Sequence, residues 1–132
     1  HMLDRRSGLL GLTGTADMRE VLARAASGDA AAEDALALYA HRLRAGIAAA
    51  AACMGGIDGL VFTGGVGERS APVRARGTER LGFMGIAIDP ARNAAADGSD
   101  DGRIDGGRVP VLVIAAREDL VIAREAATLL GG

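Results

Sequence analysis

The sequence predicts an α/β fold in which helices pack on a small, mostly parallel sheet. Two short apolar runs, over Gly59–Thr63 and Val109–Ile114, predict strands that are covered on both faces. A helical pattern follows each run, and this alternation is typical of parallel strands joined by crossover helices. A parallel sheet usually has several strands, so the chain looks like one part of a larger domain.

The first helices are predicted from capping residues and apolar spacing. Ser7–Thr15 is interrupted by glycines and predicts a loop, after which Asp17 suits the N-cap of a helix over Met18–Ala26. The clearest helix is predicted over Ala30–Met54, because apolar residues recur there at steps of three and four. Its Ala-rich second half is expected to be buried or to form an interface. The apolar stripe consists of Leu36, Tyr39, Leu43, Ile47, Ala50 and Met54.

The second half of the chain is predicted to alternate between helix and strand. A helix is expected over Ala71–Leu81 with Ser70 as its N-cap, followed by a small strand over Gly85–Asp89. The polar stretch Asp89–Arg108 predicts an exposed loop. After the second strong strand, a last helix is expected over Glu118–Leu130.

Length and composition limit the classes of function. The 132 residues suit one domain, and His1-Met2 resembles the remnant of a cloning tag, so the domain is taken to cover 3–132. A net charge of −2 and an aromatic fraction of 2% provide neither the basic surface nor the stacking residues of nucleic-acid binding. All 15 basic residues are Arg, which excludes a P-loop lysine and Schiff-base chemistry.

Cysteine usage and hydropathy predict the compartment. The single cysteine, Cys53, rules out an internal disulfide and a cysteine-rich zinc site, and it fits a reducing cytosol. The most apolar stretch, Gly46–Phe62, is interrupted by two glycines and Asp58, so it does not predict a membrane span. We therefore expect a cytoplasmic protein that binds neither membranes nor nucleic acid.

The glycines after the first predicted strand have three interpretations. Gly64, Gly65 and Gly67 can form a tight strand-to-helix turn without a ligand, which spacing alone favours. They also partly match the dinucleotide fingerprint, with Ser70 replacing its third glycine and Asp89 at the distance of the ribose ligand. In a kinase or ATPase built from two facing domains, such a turn lets the backbone approach adenosine, because no Cβ is in the way.

Four segments of the chain resemble one enzyme family. Residues 58–74, DGLVFTGGVGERSAPVR, resemble the adenosine motif of the acetate kinase family. In the same order as in that family, the chain contains SGLLGLTGTADMRE at Ser7–Glu20, LGFMGIAIDPARN at Leu81–Asn93 and RVPVLVIAAREDLVIAREAATLL at Arg108–Leu130. Related acyl kinases such as propionate kinase share these segments. The resemblance implies a partial ribonuclease-H-like domain of the actin, Hsp70 and sugar-kinase superfamily, in which two similar domains clasp ATP.

The resemblance also implies a catalytically incomplete protein. The chain corresponds to the C-terminal part of the nucleotide-side domain of an acetate kinase, including its last helix. The family converts ATP and acetate into ADP and acetyl phosphate with Mg²⁺, by direct in-line phosphoryl transfer. Its acetate-side residues precede these segments, so acetate or another short-chain acyl substrate would bind only together with the missing part.

The family's assembly gives a further expectation and leaves alternatives open. The resemblance implies a homodimer, for which the helix over Ala30–Met54 is a candidate contact. A dimerisation module without activity is the first alternative to an enzyme fragment. A dinucleotide-binding domain is the second and is less favoured.

The glycine turn carries the residues that the resemblance assigns to adenosine. Gly64, Gly65, Val66 and Gly67 correspond to the family's turn against adenine and ribose. Arg69 stands where the family usually has Asn. We keep it as a contact, because a guanidinium can stack on a base although it cannot accept a hydrogen bond.

Two further positions correspond to functional residues of the family. Asp17, Met18 and Arg19 match its DMR segment, which implies ribose contact, phosphate positioning and a catalytic contribution from Arg19. From the residues alone they also fit an N-cap and a solvent-facing arginine. Glu118 matches a carboxylate that helps to hold Mg²⁺, which implies a metal-binding and catalytic role. An acidic residue favoured by a helix dipole is the alternative.

The remaining polar and sulfur-containing residues are expected to be structural. His41 is expected on the surface of the long helix, and Cys53 is expected as a small buried apolar residue. The aspartates of the polar stretch lack the spacing of a calcium-binding loop and are interpreted as solvated. They are Asp97, Asp100, Asp101 and Asp105.

Overall fold

The computed structural model describes residues 8–117, so the predicted last helix and Glu118 lie outside the described residues. The helices in chain order are α1 (Gly8–Thr13), α2 (Met18–Ala26), α3 (Ala30–Met54), α4 (Gly65–Arg69), α5 (Ala71–Thr78) and α6 (Pro90–Ala95). The strands are β1 (Leu60–Phe62), β2 (Gly102–Arg103) and β3 (Val111–Val113). A 3₁₀ turn covers Gly82–Met84.

The described strands form one three-stranded sheet in the order β1-β3-β2. β1 and β3 are parallel, with Leu60 opposite Val111 and Phe62 opposite Val113, whereas β2 is antiparallel to β3. Val111 and Val113 are fully buried, as expected of a strand covered on both faces. The predicted α/β class with a few mostly parallel strands is therefore confirmed.

Two helices have the bounds that the sequence predicts. Oδ1 of Asp17 accepts a 2.9 Å hydrogen bond from the N–H of Arg19 and caps α2. Asp29 caps α3 in the same way, and Gly55 ends that helix in the left-handed conformation at a φ of 75°. The two capping aspartates and one glycine are therefore enough to predict these helix ends from the local sequence.

The prediction of a loop over Ser7–Thr15 is wrong for residues 8–13 and holds for Gly14 and Thr15. Residues Gly8–Thr13 form α1, and Leu9 packs against the cluster that contains Leu36 of α3. Burial of one face of this short helix outweighs the low helix propensity of its glycines.

The predictions for residues 85–108 are also wrong in part. Gly85–Asp89 forms no strand and contributes only an isolated bridge between Ile88 and Asp105. The expected exposed loop contains α6 and β2, and Ile104 within it is buried in the core. A local signal for α6 was present, because Asp89 caps it and Pro90 occupies its first turn.

Two hydrophobic clusters hold the fold together. The first covers the sheet and includes Phe62, Leu81, Ile86, Ile104, Val109, Val111 and Val113. The second lies between the helices and includes Met18, Val21, Ala32, Leu36 and Val73. The apolar stripe of α3 is buried at Leu36 but open at its C-terminal end, where Met54 is 68% exposed. No helix among residues 8–117 is both long enough and apolar enough to cross a membrane.

Candidate functional site

The glycine turn lies where the two parallel strands end. Since β1 and β3 run in the same direction, Thr63 after β1 and Ala115 after β3 emerge at the same edge of the sheet. Polar backbone groups at this edge have no further strand to pair with, and ligands of open α/β sheets bind at such edges. The turn that carries Gly64 and Gly65 is therefore in a position suited to a ligand.

The glycines of the turn differ in whether their backbone conformation or the space around them requires a glycine. Gly64 has a φ of 73° and caps α4, a conformation that a residue with a Cβ adopts only with strain. A Cβ on Gly67 would make ordinary contacts with Phe62, the nearest at 3.7 Å. Gly65 has no positive φ, and a Cβ built on it would meet no atom within 4 Å. The fold thus explains a glycine at 64 but not at 65.

Glu68, which the sequence analysis did not single out, ties the turn to the segment after β3. Glu68 is buried, and its Oε1 accepts hydrogen bonds from the N–H of Gly64, from the N–H of Ala116 at 2.8 Å and from Oγ1 of Thr63 at 3.4 Å. The hydrogen bond from Ala116, followed by those from Gly64 and Thr63, holds the pKa of the carboxyl below its usual value. An acidic residue in the first turn of a helix was the only local signal for it.

Arg74 was also missed, although it belongs to the quoted adenosine-motif segment. Its guanidinium is fully buried and donates five hydrogen bonds, and burial lowers its pKa. The acceptors are Oδ1 of Asn93 and the carbonyl oxygens of Gly67, Glu68, Asn93 and Ala96. Arg74 therefore joins the C-terminal ends of α4 and α6, where helix dipoles favour a cation.

Asp17 and Arg19 form an ion pair at the start of α2. Nη2 of Arg19 is 2.8 Å from Oδ2 of Asp17, and the Arg19 side chain is 91% exposed. Hydrogen bonds from the side chain and backbone of Arg19 lower the pKa of Asp17 to about 2. Met18 lies between them in the sequence. Its side chain is buried in a hydrophobic cluster against which Val66 of the turn also packs. The start of α2 and the glycine turn therefore pack against the same hydrophobic cluster.

The other predicted residues have varied surroundings. Arg69 is exposed at the end of α4, and His41 is exposed as expected. Cys53 is exposed rather than buried, because it lies on the uncovered end of α3. Asp105 is buried rather than solvated, since its carboxylate pairs with Arg103 at 2.6 Å and accepts from the N–H of Val111.

Two further expectations concern capping and metal ligands. Ser70 makes no capping hydrogen bond to α5, and its buried Oγ has no partner among the described residues. Within residues 8–117 no group of three or more His, Cys, Asp or Glu side chains is arranged to hold a metal ion. The carboxylate predicted for Mg²⁺, Glu118, follows the last described residue.

Comparisons with known proteins agree on one family. A family model described as the acetokinase family matches residues 1–124. The acetate kinase of Leifsonia xyli subsp. xyli is 52% identical over 95% of this chain and 32% of its own length. The acetate kinase of Gloeobacter violaceus is 48% identical over 95% of this chain and 31% of its own.

Solved structures give the same result. The acetate kinase of Porphyromonas gingivalis superposes with a TM-score of 0.85 at 35% identity, over 95% of this chain and 32% of its own. A propionate kinase from Francisella tularensis superposes with a TM-score of 0.82 at 37% identity, over 94% and 32%. The chain thus spans about a third of the length of the relatives it matches.

Proposed function

The chain belongs to the acetokinase family, and on that premise we propose that it forms the nucleotide-side third of an acetate kinase. The complete enzyme would transfer the γ-phosphoryl group of ATP in line to a carboxylate oxygen of acetate, giving ADP and acetyl phosphate. This chain would contribute the adenosine subsite and part of the phosphate and metal environment. It would have no kinase activity alone, because the acyl-binding residues would come from the missing part.

One observation supports the adenosine subsite more than any other. Gly65 is exposed, has no positive φ and has open space where a Cβ would point. Nothing in the described fold requires a glycine here. Gly46 of α3 has the same properties, but only Gly65 lies just after β1, at the edge of the sheet where ligands bind. A nucleoside lying against the backbone at this point would explain it, because a Cβ would fill the space that the nucleoside needs.

The other predicted residues would act around that contact. Val66 and Gly67 would continue the adenosine surface, and Arg69 would stack on or flank the base. The exposed guanidinium of Arg19 would meet phosphate oxygens while Asp17 fixes its orientation through the bidentate pair. Glu118 would help to hold Mg²⁺, which neutralises charge on the transferred phosphoryl group when bound.

The experiment that tests this proposal compares two glycine-to-alanine variants. ADP with Mg²⁺ is titrated into the wild-type chain, into G65A and into G46A, with binding followed by calorimetry. Gly46 is the matched control, because it lies within α3 and a Cβ on it would also meet nothing within 4 Å. Thermal unfolding of all three proteins is measured alongside.

The two variants should separate binding from folding. We expect G46A, inside α3, to be more stable than wild type by up to about 1 kcal/mol. G65A, at the first position of α4, should be about as stable as wild type. ADP affinity should fall by about tenfold or more in G65A, a cost of about 1.4 kcal/mol, and stay unchanged in G46A. Equal ADP affinity of G65A and wild type, or no ADP binding by folded wild type, would contradict the proposal.

A dimer contact is the second candidate, and the open end of α3 favours it. Met54 is 68% exposed, and Val61 on the neighbouring edge strand is 47% exposed, so adjacent elements present apolar side chains to solvent. Light scattering of the wild-type chain and of M54E tests the contact. We expect a dimer for wild type and a shift towards monomer for M54E, and a strictly monomeric wild-type chain would exclude it.

The dinucleotide interpretation, in which Asp89 would hold the ribose, is less favoured. Oδ1 of Asp89 accepts a 2.8 Å hydrogen bond from the N–H of Arg92 and caps α6. One oxygen of Asp89 thus has a capping role in the described structure, and the family match favours the kinase interpretation.

A further inference from the structure

We propose that Arg69 is a specificity-determining residue that lets the nucleotide site accept guanine nucleotides as well as adenine nucleotides. The inference rests on the proposed function, in which Gly65 lies against a nucleoside. Gly65 is the first residue of α4, and Arg69 is the last. The two residues are four positions apart, and this spacing makes them neighbours on the surface of a helix.

The outward face of α4 carries both residues. A helix turns by about 100° per residue, so Arg69 lies about 40° from Gly65 around the helix axis and about 160° from Gly67. Gly67 is on the inward face, where a Cβ would lie 3.7 Å from Phe62 of β1. Gly65 and Arg69 are both exposed. The open space beside Gly65 and the side chain of Arg69 are therefore on the same side of the helix.

The side chain of Arg69 borders the space where the nucleoside would lie. Helical side chains lean towards the N-terminus and cover the preceding turn, which for Arg69 begins at Gly65. A Cβ on Gly65 would have no atom within 4 Å, so Arg69 does not fill this space. A base placed against the backbone of Gly65 would thus be within reach of the guanidinium.

The guanidinium of Arg69 is not neutralised by another described residue. Among residues 8–117, no acidic side chain forms an ion pair with it. Its neighbour Glu68 is buried, and the carboxylate accepts from the N–H groups of Gly64 and Ala116 instead. Within the described structure, the donors of Arg69 therefore remain for a ligand.

Hydrogen-bond chemistry determines which base suits this residue. A guanidinium has five N–H donors and no acceptor. Guanine presents two neighbouring acceptors, O6 and N7, and arginine can donate to both at once. Adenine presents N7 beside an amino group, which is itself a donor and cannot accept from arginine. Arg69 is therefore matched to guanine, whereas simple stacking on the base would serve both purines.

The test compares GDP and ADP binding to wild type, R69M, R69Q and a control, R42M. Methionine keeps an apolar stem and removes the donors, whereas glutamine has the donor and acceptor that pair with adenine. Arg42 is the matched control, because it is an exposed arginine within α3. Calorimetry gives the affinities, and the decisive quantity is the ratio of GDP affinity to ADP affinity. Partial loss of folded protein leaves this ratio unchanged.

We expect R69M to lower the ratio by about tenfold through loss of GDP affinity, as for one bidentate contact between arginine and guanine. R69Q should lower the ratio further by strengthening ADP binding, and R42M should retain the wild-type ratio. IDP has O6 and N7 but lacks the 2-amino group of guanine. It should therefore respond to R69M as GDP does.

Two results would overturn the inference and leave the proposed function standing. The first is an unchanged ratio in R69M, because a stacking or phosphate contact of Arg69 would affect both nucleotides equally. The second is a wild-type chain that binds ADP but not GDP. A folded wild-type chain that binds neither nucleotide would instead overturn the proposed function, and the base preference with it.

Discussion

Nε of Arg74 donates a 2.7 Å hydrogen bond to Oδ1 of Asn93, and both side chains are buried. Nδ2 of Asn93 in turn donates to the carbonyl of Ala71 at 2.9 Å. Among the described residues no carboxylate lies within ion-pair distance of Arg74, so carbonyl dipoles compensate its charge. The pair thus fixes α4, α5 and α6 relative to one another behind the glycine turn.

Replacing Arg74 by methionine should strongly destabilise the protein. The change removes five hydrogen bonds and leaves buried carbonyl groups without donors, at a cost of about 3 kcal/mol or more in the free energy of unfolding. Urea unfolding followed by circular dichroism measures this change. R74K should recover only part of the loss, because a single ammonium cannot reproduce the five-donor fork.

The exposed Arg42 on α3 is the control for Arg74. R42M should change the free energy of unfolding by no more than about 0.5 kcal/mol. A similar small effect of R74M would show that the buried cluster is not stabilising.

Asp17 should titrate well below an ordinary aspartate. Its pKa of about 2 in the folded protein compares with 3.8 for an unperturbed Asp, because Arg19 donates to both carboxylate oxygens. The lowered pKa means that the stabilising contribution is complete above about pH 4 and is lost as the pH falls towards 2. The carboxyl carbon shift of Asp17, followed by NMR against pH, measures the midpoint.

The variant R19L isolates the cause of this shift. Removing the guanidinium should raise the midpoint of Asp17 towards 3.8, whereas R42L should leave it unchanged. A normal midpoint in the wild-type chain would show that the pair does not form in solution.

Gly77 should be required for the contact between α3 and α5. A Cβ on Gly77 would lie 2.5 Å from Cδ2 and 3.1 Å from Cγ of Leu43, so the leucine must move. We expect G77A to lower the free energy of unfolding by about 1–2 kcal/mol, because overpacking outweighs the better helix propensity of alanine. Chemical denaturation measures the loss.

A double-mutant cycle identifies the mechanism at Gly77. If the collision with Leu43 causes the loss, L43A and G77A should be clearly non-additive, with the alanine at 77 tolerated once the leucine is shortened. G82A is the control, because a Cβ on Gly82 would meet nothing within 4 Å. Strict additivity would place the cause elsewhere.

Sequence reasoning succeeded where the signal was local. The bounds of α3 follow from Asp29 before it and Gly55 after it, and both β1 and β3 lie within the predicted apolar runs. The same local reading located the glycine turn, although not the short helix α4 that it forms.

The missed features depend on contacts between distant segments. In the sequence, Arg74 resembles an ordinary surface arginine, but in the structure α6 covers it. Glu68 resembles an acidic residue at a helix start, but in the structure its carboxylate accepts a hydrogen bond from Ala116. Asp105 likewise resembles a solvated residue in the sequence, but in the fold it accepts a hydrogen bond from the N–H of Val111 in β3. Propensity and capping cannot indicate such burial, because the partners are far away in the chain.

The parallel register of β1 and β3 has a consequence for the order of folding. The contacts of α2 with α3 join neighbours in sequence, whereas Leu60 must find Val111 near the other end of the described chain. On a ribosome the helical pair can therefore form early, while β1 waits for β3 to be synthesised. Since Ala116 follows β3, the glycine turn gains its hydrogen bond through Glu68 only after β3 has been synthesised.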